Sequence, residues 1–204
     1  NGNRVLSAGS VEAMHKMNVV CPKGMNIDAI GLATFMWDWD GDGTFEVFGH
    51  DGSTIGQAAW ARYHPASGTG FCLLTNGGNG KALAGRLIRD IFSDAAGIAP
   101  PAPPKSDAAL AIAPARYLGR YANTMEEIEV SEEGGQLVAT VTPAPDYAVM
   151  SGGPKRISLE PVNAELFLGV PPGMTLPQSW HFLGDDGAGR ARWCHSGVRA
   201  HKRV

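Results

Sequence analysis

The residues best suited to chemistry lie in one glycine-rich stretch, Phe48–Gln57, with the sequence FGHDGSTIGQ. It holds an imidazole at His50, a carboxylate at Asp51 and hydroxyls at Ser53 and Thr54. Glycine costs backbone entropy and has no side chain to pack. Three glycines, at positions 49, 52 and 56, therefore indicate a backbone that comes close to a ligand. The alternative is a bulged hairpin edge with a solvent-facing histidine.

Apolar, aromatic and β-branched runs predict the strands that hold this stretch. They lie over 30–39, 44–48, 57–64 and 71–75, and Cys72–Leu74 is expected to be a buried run. The sequence Asp38–Gly43 resembles the start of a calcium loop, with acids at its first, third and fifth positions. Its twelfth position is Gly49, where such a loop needs a bidentate glutamate, so a hairpin turn is the better interpretation.

Helical spacing predicts two helices in the same half of the chain. The first spans 6–17 and can be capped by Ser7 or Ser10. The second spans 81–96, ends at Gly97 as its C-cap, and follows a cap and turn over 76–80. Its buried face is expected to hold Leu83, Leu87, Ile91 and Ile88.

Four prolines between 98 and 107 predict an extended linker and hence two domains, 1–97 and 108–204. Short strand-like runs separated by turns follow the linker, with no convincing helix. This pattern predicts a small antiparallel β-barrel. The predicted strands span 117–123, 126–132, 136–142, 156–161, 165–169, 179–183 and 189–195. The fold class is therefore α+β, an antiparallel sheet flanked by helices and then a barrel.

The two helices predicted in the first domain are too few to cover both faces of its predicted sheet. Its strands look apolar on both faces, and two short helices can hardly cover both. We therefore expect a further layer from a segment outside this chain.

The order of these elements resembles the C-terminal part of the penicillin-recognising serine hydrolases, the family of class C β-lactamases, related esterases and D-aminopeptidases, and penicillin-binding-protein-like cyclases. Three motifs mark that family: Ser-x-x-Lys, Tyr-x-Asn, and Lys-Thr-Gly or His-x-Gly on a sheet edge. His50-Asp51-Gly52 matches the third, and Thr75-Asn76-Gly77-Gly78 before the second helix also looks like a landmark of the family. The resemblance covers about the first hundred residues.

The resemblance implies a role for each residue of the third motif. The backbone N–H of Ser53 would donate to the oxyanion of an acyl-transfer intermediate. Gly52 would let substrate lie against the strand edge, Asp51 and Thr54 would line the site, and His50 would contact the nucleophile–base network or a substrate carboxylate. An imidazole in place of lysine suggests a looser demand for an anionic substrate.

The chain departs from the family in its other motifs. It contains no Ser-x-x-Lys, and its Tyr121-Ala122-Asn123 lies beyond the linker, so Tyr121 is expected to be a barrel residue. Without an activated nucleophile this chain alone should be inactive. The implied partner is the N-terminal part of the same protein, as a separate or removed chain. The second domain, opening with Tyr117-Leu118-Gly119-Arg120-Tyr121, looks like the lipocalin-like barrel appended to some members.

Composition excludes several classes of protein. A formal charge of -3 and 44% hydrophobic residues indicate a soluble globular protein without the basic stripe of a nucleic-acid binder. The basic run 199–203 is interpreted as a solvated terminus. No apolar run predicts a membrane span.

No cofactor or metal is predicted, because the spacing of His181, Cys194, His195 and His201 fits no standard zinc site. Three distant cysteines predict buried free thiols, and the compartment stays open.

Two functions remain open. The leading one is a serine hydrolase or acyltransferase acting on an amide or ester through an acyl-enzyme. The alternative is a non-catalytic accessory module with a ligand-binding barrel, and a carrier of fatty ligands would need an empty apolar cavity.

Overall fold

The computed structural model describes residues 3–54 and 56–204, without the side chains at positions 150 and 151. Ile55 of the glycine-rich stretch and the first two residues lie outside the described residues. The chain is rich in sheet, with few helices, and contains an antiparallel sheet and a closed antiparallel barrel. It divides into two compact units, one of residues 1–23 and 27–102 and one of residues 24–26 and 103–204. The main boundary falls within the proline-rich stretch.

The first unit is a six-stranded sheet with its strands in chain order. Strand 57–64 matches its prediction, whereas the predicted strand 30–39 is two short strands. The chain reverses between them, and Ala33 takes a positive φ of 55° in this turn. The elements are α1 (Ala8–His15), β1 (Val19–Val20), β2 (Ala29–Ile30), β3 (Phe35–Trp37), β4 (Val47–Thr54), β5 (Gln57–His64), β6 (Thr69–Thr75) and α2 (Gly80–Ala96).

Both predicted helices form. The first is shorter than predicted, and the second begins one residue earlier than predicted. The Ser7 side chain caps α1 by accepting a hydrogen bond from the Ser10 N–H at 3.0 Å. Helix α2 ends at Gly97, which is left-handed at φ 71° as predicted for a C-cap. The predicted buried face of α2 is wrong in part: Ala84, Ile88 and Phe92 form its fully buried stripe, while Leu83 is exposed. Spacing of four residues aligns that stripe along one side of the helix.

Helix α2 packs on one face of the sheet, together with Trp37, Val47, Trp60, Phe71 and Leu73. The opposite face of β6 is exposed, so its burial alternates residue by residue. Cys72 and Leu74 are therefore exposed, and the prediction of a buried run over 72–74 was wrong for these two. A strand presents successive side chains to opposite faces, and the described residues cover only one of them here.

The second unit is a barrel of eight strands rather than seven. The basic run 199–203, predicted to be a solvated terminus, is the strand that closes it, paired with the strands on either side. A short helix, also unforeseen, precedes the fourth strand. The elements are β7 (Gly119–Ala122), β8 (Glu126–Glu133), β9 (Gln136–Pro143), α3 (Pro145–Ser151), β10 (Lys155–Pro161), β11 (Leu166–Gly169), β12 (Gln178–Leu183), β13 (Trp193–Ser196) and β14 (Arg199–Arg203), with a 3₁₀ turn at Pro114–Arg116.

The interior of the barrel is filled by its own side chains. Tyr117, Phe167, Trp180 and Phe182 are fully buried and in contact in one cluster with aliphatic residues from the other strands. Tyr121 is a barrel residue, as predicted, and its hydroxyl donates to the Tyr117 carbonyl at 2.7 Å. The described interior therefore favours a packed core over a ligand cavity.

Candidate functional site on the edge of strand β4

Strand β4 is longer than its neighbour β3, and this difference creates an open edge. The pairing of β3 with β4 ends at Phe35 opposite Gly49. The pairing of β4 with β5 continues from Phe48 to Thr54. Positions 50–54 therefore have a strand partner on one side only, among the residues that the structure describes. These five positions include every site residue predicted from the sequence.

The register fixes which backbone groups point to that open edge. In an antiparallel ladder, alternate residues direct their N–H and C=O groups to one neighbour and then to the other. Thr54 pairs with Gln57 across a two-residue loop, and such a closing pair exchanges hydrogen bonds. Counting back from Thr54, the N–H groups of Ser53 and Asp51 point away from β5. The edge thus presents backbone donors outward.

Close packing or backbone geometry requires glycine at two of the three glycine positions of this region. A Cβ on Gly49 would lie 1.9 Å from the Ala61 carbonyl oxygen, so close strand packing requires glycine there. Gly56 has a positive φ of 73°, which the tight turn requires. A Cβ on Gly52 would meet nothing within 4 Å, and the φ of Gly52 is not positive. Gly52 is therefore the glycine that internal packing leaves unexplained.

The side chains of His50, Gly52 and Thr54 share one face of the sheet, and those of Asp51 and Ser53 share the other. His50 is exposed and stacks on the Phe35 ring at 4.2 Å between centroids. The hydroxyls of Ser53 and Thr54 are exposed on opposite sides of the strand. The five residues are thus neighbours along one edge but do not converge on one face.

Asp51 is occupied by an ion pair that the sequence did not indicate. Arg62 binds it in a bidentate manner at 2.5 and 3.0 Å, donates to the Ala61 carbonyl at 2.8 Å, and stacks over Trp37 at 3.7 Å. The side chain of Arg62 is 7% exposed and that of Asp51 31% exposed. This contact ties the overhanging end of β4 to β5 from the α2 side.

Lys81, in the first turn of α2, is a second cation near Asp51 and was also missed. Burial lowers the pKa of Lys81, and the negative charge of Asp51 partly opposes that shift. Its sequence position gave no signal, because a lysine at the start of an amphipathic helix normally faces solvent.

A histidine–tyrosine pair lies on the face that carries His50. His15 Nε2 is 2.6 Å from the Tyr63 hydroxyl, and the His15 ring stacks on Phe48 at 4.0 Å. Burial lowers the pKa of His15, so the neutral imidazole is favoured there. This pair extends the polar surface of the sheet beyond the glycine-rich edge.

The described residues bring together one group of three possible metal ligands, Asp38, Asp40 and Asp42. Asp38 accepts backbone hydrogen bonds from Gly41 and Gly43 at 2.8 and 3.0 Å, as expected for a loop that joins paired strands. The four residues that fit no standard zinc site lie on two faces of the barrel wall, with His181 opposite His195 and Cys194 opposite His201.

No described helix is both long and apolar enough to cross a membrane. The cysteines are free, as predicted, but only Cys194 is buried, Cys21 is intermediate and Cys72 is exposed.

Comparison with known proteins gives two kinds of likeness. No family model matches the chain. A protein named penicillin-binding protein 4, from Amycolatopsis lactamdurans, is 35% identical over 113 residues, which are 52% of this chain and 29% of that protein. The crystal structure of SurE is 27% identical with a TM-score of 0.66 over 98% of this chain and 42% of that one. The structure of SurE with D-Leu is 26% identical, with a TM-score of 0.66, over 98% and 44%.

This chain thus spans less than half the length of each of these proteins. The match to penicillin-binding protein 4 supports a relationship of this chain to the penicillin-recognising proteins.

Proposed function

We propose that this chain is the C-terminal part of a β-lactamase-like serine hydrolase or acyltransferase with a lipocalin-like barrel. In the reaction, a serine hydroxyl attacks an amide or ester carbonyl, and a tetrahedral oxyanion forms. Its collapse expels the amine or alcohol and leaves an acyl-enzyme, which water or an amine then attacks. The nucleophile and its lysine would lie on a preceding segment.

The observation that carries the proposal is the open edge at positions 50–54. The Ser53 N–H points away from β5, where it can donate to the oxyanion. Gly52 has free space above its Cα, which allows a substrate backbone to lie along the edge as an added strand. His50 and Thr54 would line one side of that substrate.

Asp51 has a different role in this proposal from the one that the motif suggests. Its carboxylate is bound by Arg62, so it would line the site chiefly through its backbone and hold the edge in place. A fixed edge matters because an oxyanion donor must already point at the developing charge.

The length comparison and the exposed sheet face support a missing segment. The chain covers 29% of penicillin-binding protein 4 and under half of SurE. Leu74 is 75% exposed on the face of the sheet that α2 does not cover. A further layer packed there would bury this face and bring Ser-x-x-Lys to the open edge of β4.

The likeness to SurE with D-Leu suggests which substrates to try first. We include amides and esters of D-amino acids, alongside a β-lactam, as candidate acyl donors.

The alternative, a non-catalytic accessory module, predicts no covalent labelling under any condition. Its version as a fatty-ligand carrier is disfavoured by the filled barrel, where Trp180, Phe167 and Phe182 occupy the interior.

The test is covalent labelling of the complete protein, with the upstream Ser-x-x-Lys segment in the same chain or supplied as a companion. Intact mass should show one added acyl group after incubation with a β-lactam, or one added phosphonyl group after incubation with a fluorophosphonate, which loses fluoride. Ser53→Pro, which removes the N–H, should slow acylation by about 10²–10³. Ser53→Ala keeps the N–H and should label at nearly the native rate.

The labelling rate and the melting temperature of a third variant test the role of the open edge. Gly52→Val should slow labelling by obstructing the edge while leaving the melting temperature close to native. Absence of labelling in the complete protein would reject the proposed reaction. Equal labelling rates for Ser53→Pro and Ser53→Ala, with both variants folded, would reject the Ser53 N–H as the oxyanion donor.

A further inference from the structure

A groove of about 600 Å³ lies on the barrel. It is formed by the start of β7, by β13 and β14, and by the loop between β12 and β13. Its lining includes five cationic side chains and one acidic side chain, that of Asp186, beside the apolar Leu118 and Val204. The chain as a whole has a formal charge of -3, so this concentration of positive charge is local. The cations are Arg120, Arg190, Arg192, Lys202 and Arg203.

Arg203 gives the groove a fixed positive charge. Its guanidinium donates to the carbonyls of Ala191 at 2.6 Å, Leu118 at 2.7 Å and Arg116 at 3.1 Å, and also to the Tyr121 hydroxyl. All these acceptors are neutral, and no carboxylate pairs with Arg203 among the described residues. Hydrogen bonds therefore hold the guanidinium in place without cancelling its charge.

The position of Arg203 depends on Gly119. A Cβ on Gly119 would lie 2.5 Å from the Arg203 Nη1 atom, and Gly119 has a φ of 128°. The glycine between the two tyrosines of the segment 117–121 thus makes room for this cation.

Two cations of the groove remain available for a ligand. Arg120 is paired with Glu127 and Arg190 with Asp186. Arg192 and Lys202 are exposed, and neither forms an ion pair with any residue described in the structure. An anion can therefore bind both without breaking an existing ion pair, and charge-assisted hydrogen bonds offset the entropy lost in ordering the two side chains.

An aromatic platform lies beside these cations. Trp193 is 36% exposed and stands directly opposite Lys202 in the register of β13 and β14. An exposed indole next to a cation can stack on a planar group whose charge the cation neutralises.

We propose that this groove binds an organic phosphate that carries a planar group, as in a mononucleotide. Phosphate fits better than a single carboxylate, because it offers three acceptor oxygens and up to two charges to several donors. In this proposal Lys202 and Arg192 donate to the phosphate near the fixed charge of Arg203, and Trp193 stacks on the planar group. The site is independent of the proposed acyl transfer.

The probe is adenosine monophosphate, titrated into the 204-residue chain by calorimetry at low salt. Inorganic phosphate and adenosine, titrated separately, report the charged and the stacking parts. We expect saturable one-to-one binding of the nucleotide, weaker binding of either part, and a loss of affinity with added salt.

Substitutions connect that binding to the groove. Lys202→Gln and Arg192→Gln should each weaken nucleotide binding roughly five- to twentyfold. Trp193→Leu should lower the affinity for the nucleotide but leave that for inorganic phosphate unchanged. Arg86→Gln, at an exposed arginine of α2, is the matched control and should bind like the native chain. No saturable binding at millimolar nucleotide, equal affinity for adenosine, or native affinity in both groove variants would overturn the proposal.

Discussion

Gly49 and Gly52 lie three positions apart on the same strand, yet their surroundings differ completely. The first is pressed against a neighbouring carbonyl, and the second faces open space. From sequence the two are equivalent, because both are glycines in an apparent strand edge. Only the register of β4 with β5 separates a glycine required by packing from one that leaves room for a ligand.

Alanine substitution should reveal this difference in stability. Gly49→Ala forces the strands apart and should lower the free energy of unfolding by more than about 3 kcal/mol. Gly52→Ala has space and should change it by less than about 1 kcal/mol. Urea denaturation followed by circular dichroism measures both. Equal effects would contradict the packing described for Gly49.

The Asp51–Arg62 pair should respond asymmetrically to mutation. Asp51→Ala leaves a guanidinium that is 7% exposed without its carboxylate and should cost about 3 kcal/mol. Arg62→Met keeps much of the packing and leaves Asp51, which is 31% exposed and near Lys81, so it should cost less. Denaturation of both single variants and the double variant gives the coupling. A larger loss for Arg62→Met would contradict this account.

The last strand, β14, could not be predicted from its local sequence. Its basic residues indicate a solvated tail when taken alone, but β13 on one side and β7 on the other supply its hydrogen bonds. The partner β7 lies about eighty positions earlier in the chain, so the pairing is non-local. The strand over 57–64, by contrast, was predicted to its ends because a tight turn borders it on each side.

The same strand contributes a pH-dependent contact. His201 is fully buried, and its Nε2 lies 3.1 Å from the Glu126 carboxylate. The hydrogen bond to His201 holds the pKa of Glu126 below its ordinary value of 4.5. A depressed pKa means that the ionised carboxylate stabilises the fold above that value, and that this contribution is lost as the pH falls through the folded-state pKa.

Glu126→Gln should therefore destabilise the barrel most near neutral pH. The difference in free energy of unfolding from the native chain should shrink as the pH falls below about 4.5. Denaturant titrations from pH 7 down to about pH 3 measure it, with Glu132→Gln on the exposed part of β8 as control. A difference that grows on acidification would show that the sign assigned to this pair is wrong.

At the scale of the whole molecule, the two units differ in how completely they bury their surfaces. The barrel closes on itself and fills its interior with aromatic and aliphatic side chains. The sheet of the first unit has one face packed by α2 and one face with exposed apolar residues such as Leu74. Composition and turn spacing predicted a sheet and a barrel, but which part of the sheet stays exposed depended on the register.

We expect residues 103–204 to fold alone, since the barrel core lies entirely within them. The fragment should show a β-type circular dichroism spectrum and a cooperative thermal transition. The fragment 1–102 should instead bind a hydrophobic dye and associate, because the exposed apolar part of its sheet around Leu74 would remain in water. A monodisperse fragment 1–102 without dye binding would contradict the expectation of a missing layer.

The exposed thiol of Cys72 has a practical consequence for that question. It projects from the uncovered sheet face next to Leu74, whereas burial raises the pKa of both the Cys21 and the Cys194 thiols. Since the thiolate is the reactive form, these two should react slowly with an alkylating reagent and Cys72 quickly. The protein thus contains a natural footprinting label: the alkylation rate of one sulfur tells whether a neighbouring segment has docked on the sheet.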